Sequence, residues 1–398
     1  MSELRKNKFL SGLRVLEIAV ITFFICWVMT LTLLPLFLRD LGASTLEVGF
    51  IISVTSWTSM ILQIPMGRIS DKIDKWFIIG LTLGLQSMSY FLYSVVPGVV
   101  WLYPIVIFNA SIGSLFQPTQ LSLASNLIPP KKRGEGMGKY LLAPGLGFVL
   151  GPILGSVIIS YFVYRQFYFI ASLIPLIGLM VVLFNRQTSR NGLTVQNEEH
   201  STREKPRKSF EVFKEILKSK NMVVLMIATF FEKVAYQIFL TLFAVHANET
   251  LLISPALISL VSTVGGILNL LSRRPGGKIS DRIGRRIPKA ASCVLQGISH
   301  ILFPFSRGLG DLVGVMVVNG ISQGMSSTIA FTMIGDYIPS HNRGFGMSIL
   351  LSMMNFGYAV GGILAGVLSQ NYAMLSIFQL ALILNILSAI IFYLFIKD

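Results

Sequence analysis

Two adjacent charged residues, Glu232 and Lys233, stand inside a long apolar run of the sequence. A full charge in the middle of an apolar segment of membrane-spanning length is costly, and such residues usually serve a function. Neighbouring positions of a helix differ by about 100° in direction, so we expect the two side chains to face different neighbours. The sequence therefore predicts a functional ionisable site on this helix, or a structural ion pair with no part in turnover.

A second chemical motif occurs twice, with an aspartate next to a basic residue at the end of an apolar run. The segment 67–72, which contains Asp71, returns 210 positions later as the segment 277–282, which contains Asp281. Glycine lets a helix end pack closely and turn, and a free helix N-terminus attracts an anion. Each aspartate is therefore predicted to bind a helix start. The alternative, that these charges only orient the chain in a membrane, does not explain an acid inside a basic loop.

The same shift of 210 positions relates much more of the chain than this motif. It pairs Asn109 with Asn319 and Gly147 with Gly357 without a gap. The chain is therefore two diverged copies of one half. Duplication in a very apolar chain predicts a pseudo-symmetric membrane protein whose working site lies where the halves meet.

Composition indicates that these residues lie on membrane-spanning helices. Of the 398 residues, 53% are hydrophobic and 13% are charged, whereas soluble domains carry about 25% charged residues. Apolar runs close to the ~20 residues of a spanning helix recur along the chain and do not alternate as barrel strands do. We predict twelve spans, numbered in chain order, at 17–38, 48–67, 76–96, 99–125, 137–162, 164–184, 221–247, 255–276, 287–306, 309–336, 345–368 and 373–396.

The distribution of basic residues predicts the orientation of these spans. Lysine and arginine cluster in the N-terminal segment, in every second loop and at the C-terminus, whereas the opposite loops hold only Arg39, Arg165 and Arg307. Cytoplasmic loops carry this excess, so both termini are predicted to be cytoplasmic. The net charge of +15 follows largely from this bias. We expect no nucleic-acid partner, because the sequence has no soluble basic domain.

One substantial polar segment interrupts the apolar runs. Residues 185–220 are predicted to form a cytoplasmic linker between an N-terminal half, 1–184, and a C-terminal half, 221–398. Apolar residues at Phe210, Phe213 and Leu217 favour a short amphipathic helix within this linker, and a plain solvated linker is the alternative.

Together these features resemble the major facilitator superfamily of secondary transporters, which repeats the signature Gly-x-x-x-Asp-Arg-x-Gly-Arg-Arg. The copy at 277–286 matches every specified position, while the copy at 67–76 has Asp74 and Trp76 in place of a glycine and an arginine. The resemblance implies an all-α integral membrane protein with twelve transmembrane helices in two pseudo-symmetric six-helix bundles. It also implies a transporter rather than an enzyme, and the sequence contains no nucleophile triad, metal-ligand cluster or phosphate loop.

In this family the signature acts as a gate at the cytoplasmic mouth. The resemblance implies that Asp71 and Asp281 bind the starts of spans 11 and 5, next to Arg343 and Arg133. Such contacts favour the outward-open state. The changes in the first copy predict a weaker gate on that side. The predicted gating residues are Gly67, Asp71, Lys72, Arg133, Gly277, Asp281, Arg282, Gly284, Arg285, Arg286 and Arg343.

Span 5 resembles a helix found mainly in exporters of this superfamily. Its glycines allow close helix approach and its proline bends the helix; packing alone is the alternative. Span 4, in contrast, lacks the arginine that proton-coupled drug exporters usually carry there, which argues against proton coupling of the usual kind. The predicted helix-packing residues are Gly147, Gly151, Pro152 and Gly155.

Spans 1, 4, 7 and 10 line the central path in this family. That position implies that Glu232 and Lys233 couple transport to protons, with Glu232 as the proton carrier. They are the only full charges among the predicted cavity residues, so composition favours an apolar or weakly cationic solute. The predicted cavity residues are Trp27, Thr30, Asn109, Gln117, Tyr236, Gln237, Asn319, Gln323 and Asn355.

The function predicted first is therefore a monomeric antiporter of the cell membrane that exports a small organic solute against proton entry. Its expected partners are that solute and the lipid bilayer, and its energy source is the proton-motive force rather than a bound cofactor or metal. Metabolite uptake or facilitated diffusion is the alternative within transport. A membrane enzyme or a non-transporting sensor is the least favoured prediction.

Overall fold

The structure is a computed structural model, and it describes residues 2–128, 133–185, 219–337 and 343–396. These residues form α-helices joined by short loops, with no strand among them. Two 3₁₀ turns, Val99–Trp101 and Phe303–Phe305, precede α4 and follow α10. The helices are α1 (Ser2–Asp40), α2 (Thr45–Lys72), α3 (Lys75–Val95), α4 (Leu102–Leu127), α5 (Arg133–Tyr140), α6 (Leu142–Tyr161), α7 (Tyr164–Phe184), α8 (Lys220–Glu249), α9 (Pro255–Ile283), α10 (Arg286–Leu302), α11 (Leu309–Tyr337), α12 (Arg343–Asn371) and α13 (Met374–Phe395).

Every predicted span has a helical counterpart. Span 5 is divided between α5 and α6, and the other spans each correspond to one helix. Within the described residues, eleven helices are long and apolar enough to cross a membrane. The twelfth counterpart, α10, has 17 residues, at the lower end of the length of a spanning helix. The amphipathic helix predicted between residues 209 and 218 lies outside the described residues.

The chain forms two compact units, residues 1–31 with 61–206 and residues 32–60 with 207–398. In the first unit, α1 packs its apolar side against α3, α4 and α6 around buried Leu16, Val20 and Phe116. In the second unit, α8 packs with α11, α12 and α13 around Leu225 and Met333. The predicted division at residues 184 and 221 remains a prediction.

The sequence repeat returns as a repeat of contacts inside the two units. Asn109 Nδ2 on α4 donates to Ser89 Oγ on α3 at 3.0 Å. Asn319 Nδ2 on α11 donates to Ser299 Oγ on α10 at 3.4 Å. Both residues of the second pair follow those of the first by 210 positions, so the two halves share side-chain contacts as well as helix order.

Glycines on α6 and α12 bring each helix into backbone contact with a neighbour. A Cβ added at Gly147 would collide with Phe24 of α1, and one added at Gly151 would lie 2.8 Å from the Ile25 carbonyl oxygen. Gly357 on α12 is the counterpart of Gly147. A Cβ added there would lie 2.8 Å from the Cβ atom of Lys233 on α8. A larger residue at these positions therefore requires the helices to separate.

Candidate functional site

A buried ionic cluster lies in the second unit, where α8, α10 and α11 pack together. Glu232 and Lys233 come from α8, Lys289 comes from the first turn of α10, and Ser326 comes from α11. The exposed fractions of the three charged residues are 0%, 2% and 1%, respectively. Long apolar stretches of α8 on both sides of the charges position them deep in the helix packing rather than near its ends.

The Glu232 carboxylate holds this cluster together. Its Oε1 atom accepts from Lys233 Nζ at 2.7 Å and from Ser326 Oγ at 2.8 Å. Its Oε2 atom accepts from Lys289 Nζ at 2.6 Å. Lys289 Nζ also donates to the hydroxyl of Ser326 and to its carbonyl oxygen, the latter at 3.3 Å. Cys293 Sγ is a fourth and weaker donor, 3.9 Å from Oε2. Two ammonium groups, a hydroxyl and a thiol thus converge on one carboxylate, which is an arrangement that stabilises its ionised form.

One expectation about these charges was wrong. The charged ends of Glu232 and Lys233 do meet, because the long lysine side chain curves back to a carboxylate whose Cα–Cβ bond points elsewhere. Lys289, which was not among the predicted site residues, is equally buried. Lysines in the first turn of a spanning helix commonly extend to the membrane surface. For this reason the burial of Lys289 was not predicted from the sequence.

A signal for Lys289 was present in the helical periodicity of α10. Buried polar residues follow it on one stripe of that helix: Ser292, Gln296, Ser299 and His300. A polar stripe on an otherwise apolar span faces other helices or a cavity rather than lipid. His300 on this stripe contacts two asparagines: its Nε2 atom lies 3.3 Å from Asn319 Nδ2, and its Nδ1 atom lies 3.2 Å from Asn385 Nδ2.

The cluster contains one positive charge more than it contains negative charge. Two ammonium groups face one carboxylate, and no other carboxylate among the described residues lies within ion-pairing distance of Lys233 or Lys289. Lys233 Nζ also donates to Gln323 Oε1 at 3.2 Å, while Gln323 Nε2 has no hydrogen-bond partner in the described part of the chain. The site thus combines surplus positive charge with an unpaired buried donor.

The first unit fills the equivalent space with apolar side chains. Gly147 and Gly357 are repeat counterparts, and they meet Phe24 and Lys233, respectively. The residues before these, Phe23 and Glu232, are therefore counterparts as well, so α1 and α8 correspond with a shift of 209 positions rather than 210. Phe23 stacks on Phe116 of α4 at a ring distance of 3.7 Å.

Further pairs of counterparts surround this position. Phe116 corresponds to Ser326 under the shift of 210, as buried Ile79 corresponds to Lys289. The pair Trp27 and Phe148, at 5.9 Å, corresponds to Tyr236 and Tyr358, at 6.1 Å. One half therefore carries an aromatic core at the place where the other half carries charges.

The repeated signature places a second ionic group at the ends of α9 and α11. Arg285 pairs with Asp281 one turn earlier, and its Nε atom donates to Asp336 Oδ2 at 3.0 Å. Its Nη1 atom also donates to Ser280 Oγ at 2.7 Å. Partial burial acts to lower the pKa of Arg285, but the hydrogen bonds and charges of both aspartates outweigh it and raise that pKa. Asp336 was absent from the predicted gating residues, because it lies far from the signature in sequence.

The glycines of the signature differ in what they do. Gly284 ends α9 with φ at 87°, a conformation that favours glycine. In the first copy Asp74 occupies this position with φ at −55° and caps α3 by accepting from the Phe77 amide at 2.8 Å. At Gly277 an added Cβ would have ordinary contact with Thr328 at 3.6 Å, whereas the neighbouring Gly276 packs closely on Met325. The expectation of close packing therefore applies to Gly276 rather than to Gly277.

Other predicted gating residues are partly described. Arg282 is exposed, and the Arg286 guanidinium lies 4.1 Å from the centre of the Tyr393 ring. A Cβ at Gly67 would lie 3.9 Å from Pro118. Four gating residues have side chains outside the described set: Asp71, Lys72, Arg133 and Arg343. Their proposed contacts remain predictions.

The predicted cavity residues fall into two groups, one in each unit. Trp27, Asn109 and Gln117 are half-buried in the first unit, where Thr30 is buried. In the second unit Tyr236 and Asn355 are half-buried. Gln237 is buried and donates to Thr241 Oγ1 at 3.1 Å. Of all these, the structure brings Tyr236 and Gln323 to the ionic cluster.

Comparisons with known proteins agree on one family. The sequence matches the profile of the Major Facilitator Superfamily over residues 16–249 and 225–398. An uncharacterized MFS-type transporter of Methanocaldococcus jannaschii, MJ1560, is 24% identical over 385 residues, covering 93% of this chain and 97% of that relative. The quinolone resistance protein NorA of Staphylococcus aureus is 22% identical over 347 residues, covering 85% of each chain.

The fold agrees with this assignment. The solved structure of the nucleoside transporter NupG matches this structure with a TM-score of 0.77 at 15% identity, covering 97% of this chain and 99% of that one. The predicted fold class is thereby confirmed. A multi-pass helical membrane protein with this sequence profile is a transporter rather than an enzyme. The chain belongs to the Major Facilitator Superfamily.

Proposed function

We propose that this protein moves a small organic solute across the cytoplasmic membrane by alternating access, with proton coupling, and that it works as a monomer with both termini in the cytoplasm. The buried Glu232 cluster is the observation that carries this proposal. An ionisable group inside a spanning helix is costly and commonly belongs to a proton or solute pathway. Export is the first direction to test, since the α6 glycine motif and the relative NorA both favour it.

Glu232 is the proposed proton carrier, with Lys233 and Lys289 as its partners. In the present arrangement three donors favour the ionised carboxylate. A rearrangement that moves α8 away from α10 would remove the Lys289 contact and let a proton bind. Proton binding would therefore alternate with formation of the ion pairs, which is the linkage that a coupled transporter requires.

The Arg285 group is the proposed gate of the second repeat. It connects the end of α9 with the end of α11 through Asp281 and Asp336. Removing one aspartate changes the stability of one conformation of the gate and leaves the buried cluster unchanged. The gate therefore acts on the rate of the conformational change rather than on solute affinity.

Everted membrane vesicles from a host without its own efflux pumps test this function. We expect vesicles containing the protein to accumulate a fluorescent lipophilic cation or a fluorescent organic carboxylate, and a protonophore to abolish the accumulation. Vesicles from the empty host give the background. Failure of both probes to exceed that background would reject proton-driven export.

The proton-carrier role has its own test. Glu232→Gln should abolish accumulation driven by the pH gradient, because the amide cannot bind and release a proton, while solute exchange without a gradient persists. Glu249→Gln is the matched control, since Glu249 is 41% exposed by side chain and pairs with Arg39 at the ends of α1 and α8. Gradient-driven accumulation that survives Glu232→Gln would exclude this residue as the carrier.

Uptake of a metabolite is the second candidate function, and two observations favour it. Span 4 has no arginine of the kind that drug exporters carry, and Asn109 lies there instead. The surplus positive charge of the cluster also repels cationic drugs and attracts anionic metabolites. Uptake in whole cells that the protonophore abolishes, without accumulation in everted vesicles, would select this alternative.

A further inference from the structure

We propose that Lys233 and Gln323 form a recognition site for an organic carboxylate with an apolar or aromatic body. The proposal rests on the transport function proposed above, and it specifies the chemical class of the solute. It departs from the composition argument, which favoured an apolar or weakly cationic solute and did not include Lys289.

The cluster carries one positive charge more than its own carboxylate neutralises. Glu232 neutralises one of the two buried lysines, and the described residues supply no second carboxylate to the other. A buried charge without a partner is costly, and a monoanion that binds beside it would remove that cost. A surplus of one charge matches a carboxylate better than it matches a phosphate dianion, which would need more converging donors.

The two lysines differ in how many of their donors are already used. Lys289 Nζ has three acceptors, namely Glu232 Oε2 and the hydroxyl and carbonyl oxygens of Ser326. These match the three donors of an ammonium group. Lys233 Nζ has two acceptors among the described residues, Glu232 Oε1 and Gln323 Oε1. Lys233 therefore retains one donor for a ligand.

Lys233 fixes the orientation of the Gln323 amide. Gln323 Oε1 accepts from the Lys233 ammonium, which cannot itself accept, so the amide is not reversed. Its Nε2 atom is left buried without a partner in the described chain. Gln323 is 8% exposed. A carboxylate next to Lys233 would satisfy an unpaired ammonium donor and an unpaired amide donor together.

The aromatic side chains beside Lys233 suggest where the body of the solute lies. Lys233 Nζ lies 5.7 Å from the centre of the Tyr236 ring, and this ring lies 6.1 Å from that of Tyr358 on α12. Both tyrosines are half-buried. Aromatic faces of this kind contact an apolar or aromatic group while the carboxylate reaches the lysine.

The repeat shows that the fold does not require these charges. The first unit places Phe24 where the second places Lys233, and stacked Phe23 and Phe116 where the second pairs Glu232 with Ser326. An aromatic core satisfies the same helix packing. Charges in one copy alone are therefore more simply explained by a ligand than by stability.

Ligand-induced stabilisation of the purified full-length protein tests the site without any need for transport. The probes are sodium benzoate and sodium octanoate, with benzamide and octanamide as neutral isosteres. A ligand that binds the folded state raises the unfolding temperature with its concentration, which yields the Kd. We expect each carboxylate to bind at least about tenfold more tightly than its amide.

Variants that remove a positive charge and variants that remove the negative charge distinguish a binding site from a purely structural cluster. Lys233→Met leaves a neutral pair of Glu232 and Lys289, so the protein should fold and lose carboxylate affinity at least about tenfold. Lys233→Arg keeps the charge and should retain affinity within about threefold. Glu232→Gln raises the surplus to two charges and should tighten carboxylate binding. A merely structural cluster would weaken binding in both Lys233→Met and Glu232→Gln.

Gln323→Leu provides a variant that keeps every charge. It should lower carboxylate affinity, because it removes the amide donor, and it should lower the unfolding temperature only slightly, because Lys233 loses the Gln323 acceptor but keeps Glu232. Equal binding of carboxylates and amides by the unmodified protein, or unchanged carboxylate affinity in Lys233→Met, would overturn the proposal.

The two proposals fail in distinguishable ways. Carboxylate binding without movement of either probe, in everted vesicles or in whole cells, would reject the proposed transport function and leave the binding site standing. Proton-driven movement of the lipophilic cation without any carboxylate binding would reject the binding site and leave transport standing.

Discussion

At the scale of single residues, the proposed gate contains an acid that the repeated signature does not include. Asp281 and Asp336 share the guanidinium of Arg285, and they come from different helices. Exposed ion pairs contribute little to stability, typically about 0–1 kcal/mol. Their importance for a transporter would lie in how they bias one conformation over another, since a small bias changes the rate of a conformational step.

Asp281→Asn and Asp336→Asn should each lower the transport rate several-fold and leave the KM for the solute nearly unchanged. Both remove a partner of Arg285, so the double variant should be little slower than either single variant. Asp311→Asn is the control, because Asp311 lies at the opposite end of α11 and accepts from the Arg307 amide at 2.8 Å. Initial rates in proteoliposomes measure the effect. Additive losses in the double variant would show that the aspartates act separately.

At the scale of helices, the side chains of the ionic cluster can be replaced by those of their apolar counterparts in the first half. Replacing Glu232 and Lys233 by Phe, Lys289 by Ile and Ser326 by Phe copies the first half into the second. Replacing a buried ion network by apolar residues is often neutral or stabilising by about 1–4 kcal/mol. We expect the fourfold variant to fold with equal or higher thermal stability and to lose transport.

The single variant Glu232→Leu is the contrasting case. It leaves Lys233 and Lys289 buried without a carboxylate, and breaking a buried pair in this way typically costs about 3–5 kcal/mol. Thermal unfolding in detergent should therefore order the three proteins with Glu232→Leu lowest. A fourfold variant less stable than Glu232→Leu would show that the second half cannot accept the aromatic packing.

Close helix approach at α1 and α6 gives another prediction at this scale. Gly147→Ala should destabilise the protein by about 1–3 kcal/mol, because the new methyl group overlaps Phe24 and forces the helices apart. Gly113→Ala is the matched control on α4, where nothing lies within 4 Å of an added Cβ. Thermal unfolding should leave Gly113→Ala unchanged or slightly more stable, and equal effects of both changes would contradict the packing argument.

At the scale of the whole molecule, the basic loops predict one orientation in the membrane. Cys26 and Cys293 are both buried, so they give a low background for thiol labelling. Arg165→Cys and Arg307→Cys should react with a membrane-impermeant maleimide in intact cells. Arg68→Cys and Lys278→Cys should react only after the cells are opened, and the reverse pattern would invert the predicted topology.

The sequence by itself determined the membrane class, the helical spans, the duplication and the repeated signature. These depend on composition, on the length of apolar runs and on local spacing, all of which are properties of the linear chain. It also identified Glu232 and Lys233, because a charge inside an apolar run is visible without a partner. The sequence did not show where these two side chains point or which residues they contact.

Only the tertiary structure decided what surrounds Glu232. Lys289 and Ser326 are separated from it by 57 and 94 positions, and helix packing alone makes them neighbours. Periodicity predicts which face of a helix is polar, but it does not say which two faces meet or how far a flexible lysine reaches. For the same reason the surplus charge, the unpaired amide of Gln323 and the aromatic counterpart in the first half became visible only once the helices were packed.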